Sequence, residues 1–163
     1  MKLSIDTDKN SVIITQKFSV KLETLWNSYT QSDLLDRFWA PDPWVTETKH
    51  MDFREGGTWI YALTNSDGYT HMARLDYFQI HPLKRFKAVD SFIEDDGTME
   101  DATSRAIGDV SFEQIGNETL VTEIITFASA YHLNATLEMG FEQGVKMVMR
   151  NLETALKSSN IKQ

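Results

Sequence analysis

The sequence predicts an α+β fold with the element order β-α-α-β6-α. Three observations carry this reading. A β-branched run near the N-terminus gives way to two short helical stripes, the middle of the chain alternates strand-like runs with turn dipeptides, and the last stretch holds one long apolar stripe at helical spacing. The first run, "SVIITQKFSV", is a strand because its β-branched side chains suit a pleated, half-buried surface. In "KLETLWNSYT", Leu22, Leu25, Trp26 and Tyr29 recur at helical spacing, so a short helix follows. A second short helix starts at Ser32, an expected N-cap, and carries Leu34, Leu35, Phe38 and Trp39. Pro41 and Pro43 stop it, since each removes a backbone donor and disfavours helix before it.

Strands are then expected over 44–53, 57–64, 69–80, 85–94, 106–115 and 119–127. The connections carry turn chemistry at Gly56-Gly57, Asp67-Gly68, His81-Pro82, Asp96-Gly97 and Gly116-Asn117. Most are too short for parallel crossovers, so the strands should pair as antiparallel hairpins. The closing stretch, "NATLEMGFEQGVKMVMRNLETALKSS", places Leu137, Phe141, Val145, Val148, Leu152 and Leu156 on one face of a single long helix. About 24 residues would span roughly 36 Å, enough to cross a whole sheet.

Composition narrows the function classes. The chain has 163 residues, 41% hydrophobic and 25% charged, which suits one domain spanning 1–163 with a sizeable core. Its net charge of −8 argues against nucleic acid and anionic lipid surfaces as partners. No run approaches the ~18 apolar residues of a membrane span, so no membrane insertion is expected. There is no Cys and no apolar signal-peptide core, which makes a cytoplasmic location the default expectation.

Few motifs carry chemistry. Gly56-Gly57 lacks the spacing and the Lys of a phosphate loop and reads as a tight hairpin needing positive φ. Asp52 and Arg54, two apart, read as a structural ion pair on the outer face. The four histidines, His50, His71, His81 and His132, show no ligand spacing; His50 and His71 could approach only if strand register allowed it, and no metal or cofactor is expected. No nucleophile elbow is present, so no catalytic serine is named. Glu123 interrupts the apolar strand "LVTEIITF". If Val121 and Ile125 face inward, Glu123 does too, and its carboxyl would be a polar anchor or a weak candidate for a general base. The alternative is a solvated strand Glu, and Arg74 and Asp90 pose the same question. Gly140 and Gly144 lie four apart inside the last helix, each costing about 1 kcal/mol relative to Ala. Close backbone contact or room for a ligand would offset that.

The order of elements, together with "LLDRFWAP", "DFREGGTWIYAL", "SDG", "YFQIHPLKRF", "ETLVTEIITF" and "LEMGFEQGVKMVMRNLETAL", resembles the START-like, or helix-grip, superfamily. Within it the chain is similar to the family related to the C-terminal domain of the activator of the 90-kDa heat-shock protein ATPase, over about Val12 to Leu156. The resemblance implies a curved, seven-stranded antiparallel sheet wrapped around a long C-terminal helix, with an internal cavity gated by the two short helices and by hairpin loops. It turns the face bearing Trp59, Tyr61 and Leu63 inward. Those rings either fill core or wall a pocket. The same choice applies to Phe38, Trp39 and Trp44 near the expected mouth, to Tyr77, Phe92 and Phe112 across the meander, and to Met139, Gly140, Phe141, Gly144 and Met147 on the last helix.

Fold alone does not fix function. The expected function is non-enzymatic binding of a small hydrophobic molecule, lipid-like or aromatic. The alternatives are a START-like enzyme of cyclase or hydrolase type using a cavity carboxylate, and a chaperone-regulating interaction module, although nothing resembles the activator's additional N-terminal domain. A homodimer through a strand edge or the helix is compatible with the sequence.

Overall fold

The computed structural model describes residues 1–94 and 105–160. The chain runs β1 (Lys2–Asp6), β2 (Ser11–Phe18), α1 (Leu22–Thr30), α2 (Ser32–Leu35), β3 (Val45–Met51), β4 (Thr58–Thr64), β5 (Thr70–His81), β6 (Arg85–Ile93), β7 (Ala106–Ile115), β8 (Glu118–Phe127), α3 (Ala130–Glu138) and α4 (Phe141–Asn160). The strands form one antiparallel sheet in the order β1-β2-β8-β7-β6-β5-β4-β3. The expected α+β helix-grip plan is present. Each predicted strand start or end lies within two residues of the observed one. The predicted turn at Asp96-Gly97 lies outside the described residues.

Three expectations are corrected. The sheet has eight strands among the described residues rather than seven. The extra strand, β1, reads as polar in sequence, yet its Leu3 faces Ile14 of β2 and packs on the core. The turn that joins them is built by Asp6, whose carboxylate accepts from the backbone N–H groups of Asp8 and Lys9. Ser32 is the first helical residue of α2 and not its cap: Gln31 holds the cap position, with no side-chain hydrogen bond.

The third correction concerns the single long helix. It is two helices, α3 and α4, divided at Met139-Gly140. Gly140 adopts φ +89°, a left-handed conformation that ends α3 without a Cβ penalty. Its carbonyl then accepts from Gly144 N–H as α4 begins. The start of α3 is fixed by Ser129, whose hydroxyl accepts from His132 N–H. Gly144 lies inside α4, where an added Cβ would meet Pro41 Cγ at 3.9 Å. The missing side chain thus faces the chain that follows α2.

Strand alternation puts one face of the sheet under the helices. On that inner face lie Val12 and Ile14, Trp59 and Tyr61, Leu75 and Tyr77, Phe86, Val110, Phe112 and Val121, all buried. Trp26 of α1 packs edge-on against Phe53, Phe86 and Phe112, with ring centroids 5.8, 6.1 and 5.4 Å away. From Met149 onward α4 is buried at Met149, Leu152 and Leu156, whereas Phe141, Val145 and Val148 before it are only partly buried. Among the described residues no helix is long and apolar enough to cross a membrane.

Candidate functional site

The centre of the inner face is floored by small residues. Ala88 of β6 pairs Gly108 of β7, which pairs Ile125 of β8; one pair further along, Asp90 pairs Ala106 and Ala106 pairs Phe127. Above Gly108 there is room. A Cβ built there would meet nothing nearer than the Ala88 carbonyl oxygen at 3.9 Å. The partly buried first half of α4 stands over the same region, since Phe141 meets Phe127 at a ring distance of 6.4 Å.

Polar groups flank this floor. Val121 is fully buried on β8, and alternation carries Glu123 inward with it. The Tyr29 hydroxyl of α1 donates to Glu123 Oε1 at 2.6 Å. Burial raises the Glu123 carboxyl above the usual range, and the Tyr29 hydrogen bond offsets only part of that. Burial also raises the Tyr29 phenol, helped by the Glu123 charge. On the other side, Asp90 lies between buried Leu75 and Ala106, and dehydration pushes its carboxyl up to about 6 against the Ser91 backbone N–H. Asp90 in turn helps raise the buried Tyr61 phenol. Glu123 and Asp90 keep some accessible surface, but it faces the interior between sheet and helices, so loss of bulk hydration still governs their titration. Arg74 is different. It falls on the outer face and forks onto Asp76 at 2.7 Å.

Asp90 gives a pH-dependent expectation. Its folded pKa, about 6, stands above the ordinary 3.8, so the folded state keeps the proton to higher pH than the unfolded chain. Its contribution is therefore most favourable below the ordinary value and declines as pH rises through this window, where it becomes a cost. Asp90→Asn should raise unfolding free energy at about pH 8 by about 1–3 kcal/mol. The gain should shrink towards pH 4 in urea titrations. Equal stability of variant and wild type at the higher pH would sink this account.

The aromatic candidates divide into three groups. Phe38, Trp39, Trp59 and Tyr61 are brought together: Trp59 stacks on Tyr61 at 4.1 Å, Trp39 stands edge-on to Trp59 at 5.3 Å, and Phe38 to Trp39 at 6.1 Å. Their polar tips are used internally. Trp39 Nε1 donates to Tyr61 Oη at 3.1 Å, and Trp59 Nε1 to Thr48 Oγ1 at 2.9 Å, while Thr48 Oγ1 donates to Asp36 at 2.6 Å. Leu63 sits beside them, half-buried. Tyr77 and Phe112 pack on other rings, against Phe53 at 4.8 Å and Tyr29 at 5.3 Å.

The third group lies away from an enclosed wall, and here the expected placement is corrected. Phe92 occupies an inner-face position at the sheet rim and is 48% exposed, and Met139 at the end of α3 is 87% exposed. Gly140 is a helix terminator. Met147 is half-buried on α4. Trp44 lines a separate open groove of ≈ 330 Å³, between the α2–β3 connection and the second half of α4, that also takes in Thr46, Asn151 and Ser158. His50 and His71 fall on opposite faces, paired with Ile60 and Leu63, and do not meet. Asp52 and Arg54 form the expected exposed ion pair at 2.7 Å. Sequence reasoning missed Tyr29, taken only as part of an apolar stripe, and Gly108. The signal for the second was available: small residues at alternate positions of one strand, Ala106 and Gly108.

A curved antiparallel sheet gripping helices over an interior with inward carboxyls defines a START-like protein, a fold compatible with ligand-binding and regulatory roles. The chain belongs to the family described as "Activator of Hsp90 ATPase homolog 1-like protein", whose profile matches residues 19–157. No curated protein matches it. Among solved structures, a protein from Mycobacterium smegmatis is similar with a TM-score of 0.89 at 22% identity, over 98% of each chain. One from Arthrobacter aurescens reaches 0.91 at 24% identity, over 96% of this chain and 91% of that one. One from Silicibacter pomeroyi, itself called an AHSA1 protein, reaches 0.73 at 15% identity, over 91% of this chain and 99% of that one. At these identities the likeness is one of fold.

Proposed function

We propose that the chain binds a small, mostly apolar molecule, lipid-like or aromatic, between the inner face of the sheet and the first turns of α4, without transforming it. The observation that supports this is the open floor at Gly108, an inner-face position where an added Cβ meets nothing nearer than the Ala88 carbonyl oxygen at 3.9 Å. An apolar interior with a few convergent polar groups is the general form of a small-molecule site. The test uses a plug. Gly108→Leu would fill the space above the floor, and no positive φ opposes the substitution. Saturating apolar probes, long-chain alcohols and small aromatics, should stabilise the wild type by about 2–3 kcal/mol, read as a rise in Tm. The variant should fold and lose that response. A wild type indifferent to every probe, or a plugged variant that still responds, would overturn the reading.

A second reading is an enzyme in which Glu123 moves a proton. The 2.6 Å contact with Tyr29 and the raised carboxyl favour it, because burial makes the carboxyl hold its proton more readily than an exposed one, as acid–base work requires. Under that reading Glu123→Gln would still bind a substrate but not consume it.

A further inference from the structure

We infer that the bound molecule is an amphiphile whose polar end donates hydrogen bonds, and specifically a primary amine, seated against Glu123. This rests on the binding role proposed above and names the chemistry of its ligand.

Two acceptors on the inner face, Glu123 and Gln16 Oε1, stand beside one another with capacity for a further donor. Glu123 accepts one hydrogen bond, from Tyr29, and no second protein donor reaches its carboxylate among the described residues. Gln16 is its diagonal neighbour across β2 and β8, because Ile14 pairs Glu123 and Gln16 pairs Val121. Gln16 Oε1 is buried and has no hydrogen-bond partner. A buried acceptor left unmatched costs stability, so an arriving donor would gain more here than at a site already satisfied. Asp90 adds a second inward carboxylate on the far side of Gly108.

Among the described residues, no Lys or Arg is paired with Glu123 or Asp90. Alternation places Lys17, Arg74, Arg85 and Lys87 on the outer face, where Arg74 pairs Asp76, and Arg85 and Lys87 pair Asp109. On α4, Lys146 pairs Glu142, Lys157 pairs Glu153, and Arg150 is exposed. Residues 95–104 contain no Lys, Arg or His. A carboxylate ligand would therefore meet like charge in a partly dehydrated space, whereas an ammonium would meet the charge it needs. A charge-assisted hydrogen bond to Glu123 would be stronger than a neutral one.

The experiment compares three probes of matched chain length, n-octylamine, n-octanol and n-octanoate, by calorimetric titration into the full chain at neutral pH. The amine should bind about tenfold tighter than the alcohol, with the carboxylate weakest, as expected for one charge-assisted hydrogen bond. Glu123→Gln should erase the preference of amine over alcohol. Because the wild type alone gives the ranking, a poorly folding variant leaves the inference testable, and Gln16→Leu supplies a second variant expected to narrow the same gap. Octanoate binding as tightly as the amine would overturn this inference while leaving the cavity reading intact. An equal loss for all three probes in Glu123→Gln would assign Glu123 a structural role and also overturn it. No binding by any probe would sink both.

Discussion

Gly57→Ala is expected to cost about 3 kcal/mol of unfolding free energy, at the upper end of what overpacking does to a single site. A Cβ at Gly57 would lie 2.1 Å from the Asp52 carbonyl oxygen and 2.9 Å from that of Arg54. Both are backbone atoms and cannot swing aside as a flexible side chain would. The glycine is also held on three sides. Its N–H donates to Arg54 O at 2.8 Å, its carbonyl accepts from Tyr77 N–H at 3.0 Å, and the preceding Gly56 N–H donates to Tyr77 O at 2.8 Å. Relief of the clash therefore breaks the junction between the β3–β4 turn and β5. Gly68→Ala is the control: it has positive φ but nothing within 4 Å, so it should cost only the left-handed strain, about 1–2 kcal/mol. Urea denaturation of both variants decides the matter, and equal costs would remove the close-approach argument.

Trp59→Ala should lose about 3–5 kcal/mol, the range for a large buried aromatic cut to a methyl. The ring is 1% exposed, stacked on Tyr61 and edge-on to Trp39, and its N–H anchors Thr48. Trp59→Phe keeps most of the apolar area and drops the hydrogen bond, so about 1–2 kcal/mol is expected from the lost donor and a small void. Trp39, Trp59 and Tyr61 thus act as one packed unit. A cost below about 1 kcal/mol for Trp59→Ala would mean that the ring borders empty space and belongs to the ligand site instead.

Much of this fold is legible in the sequence, and the exceptions have physical causes. Six strands of the meander are placed closely because period-two patterning and turn residues report the same boundaries. β1 escapes because only Leu3 and Ile5 of its five residues are apolar, so alternation has too little length to stand out. The break at Gly140 escapes for the opposite reason. The apolar stripe runs on from Leu137 to Phe141 across a residue that leaves the helix, and periodicity counts side chains rather than φ angles. The inward direction of Glu123 follows from its neighbour Val121, so its condition was readable although its Tyr29 partner, 94 positions earlier, was not. Phe92 shows the limit of alternation. It lies on the expected face, but exposure depends on what covers that face, and at the rim the described helices do not.

The place of β2 in the sheet bears on how the chain acquires its shape. β2 pairs with β8, Phe18 with Thr119 and Ser11 with Thr126, so one of the first strands synthesised finds its second partner only after nearly all the others exist. Until then, the β1–β2 hairpin carries Val12 and Ile14 with no inner layer against them, and an isolated hairpin is marginal in water. Closing so wide a loop comes before the contacts that reward it, which predicts refolding on the slower scale of non-local β topologies, milliseconds to seconds. Nascent chains that end before β8 should be the aggregation-prone species during synthesis.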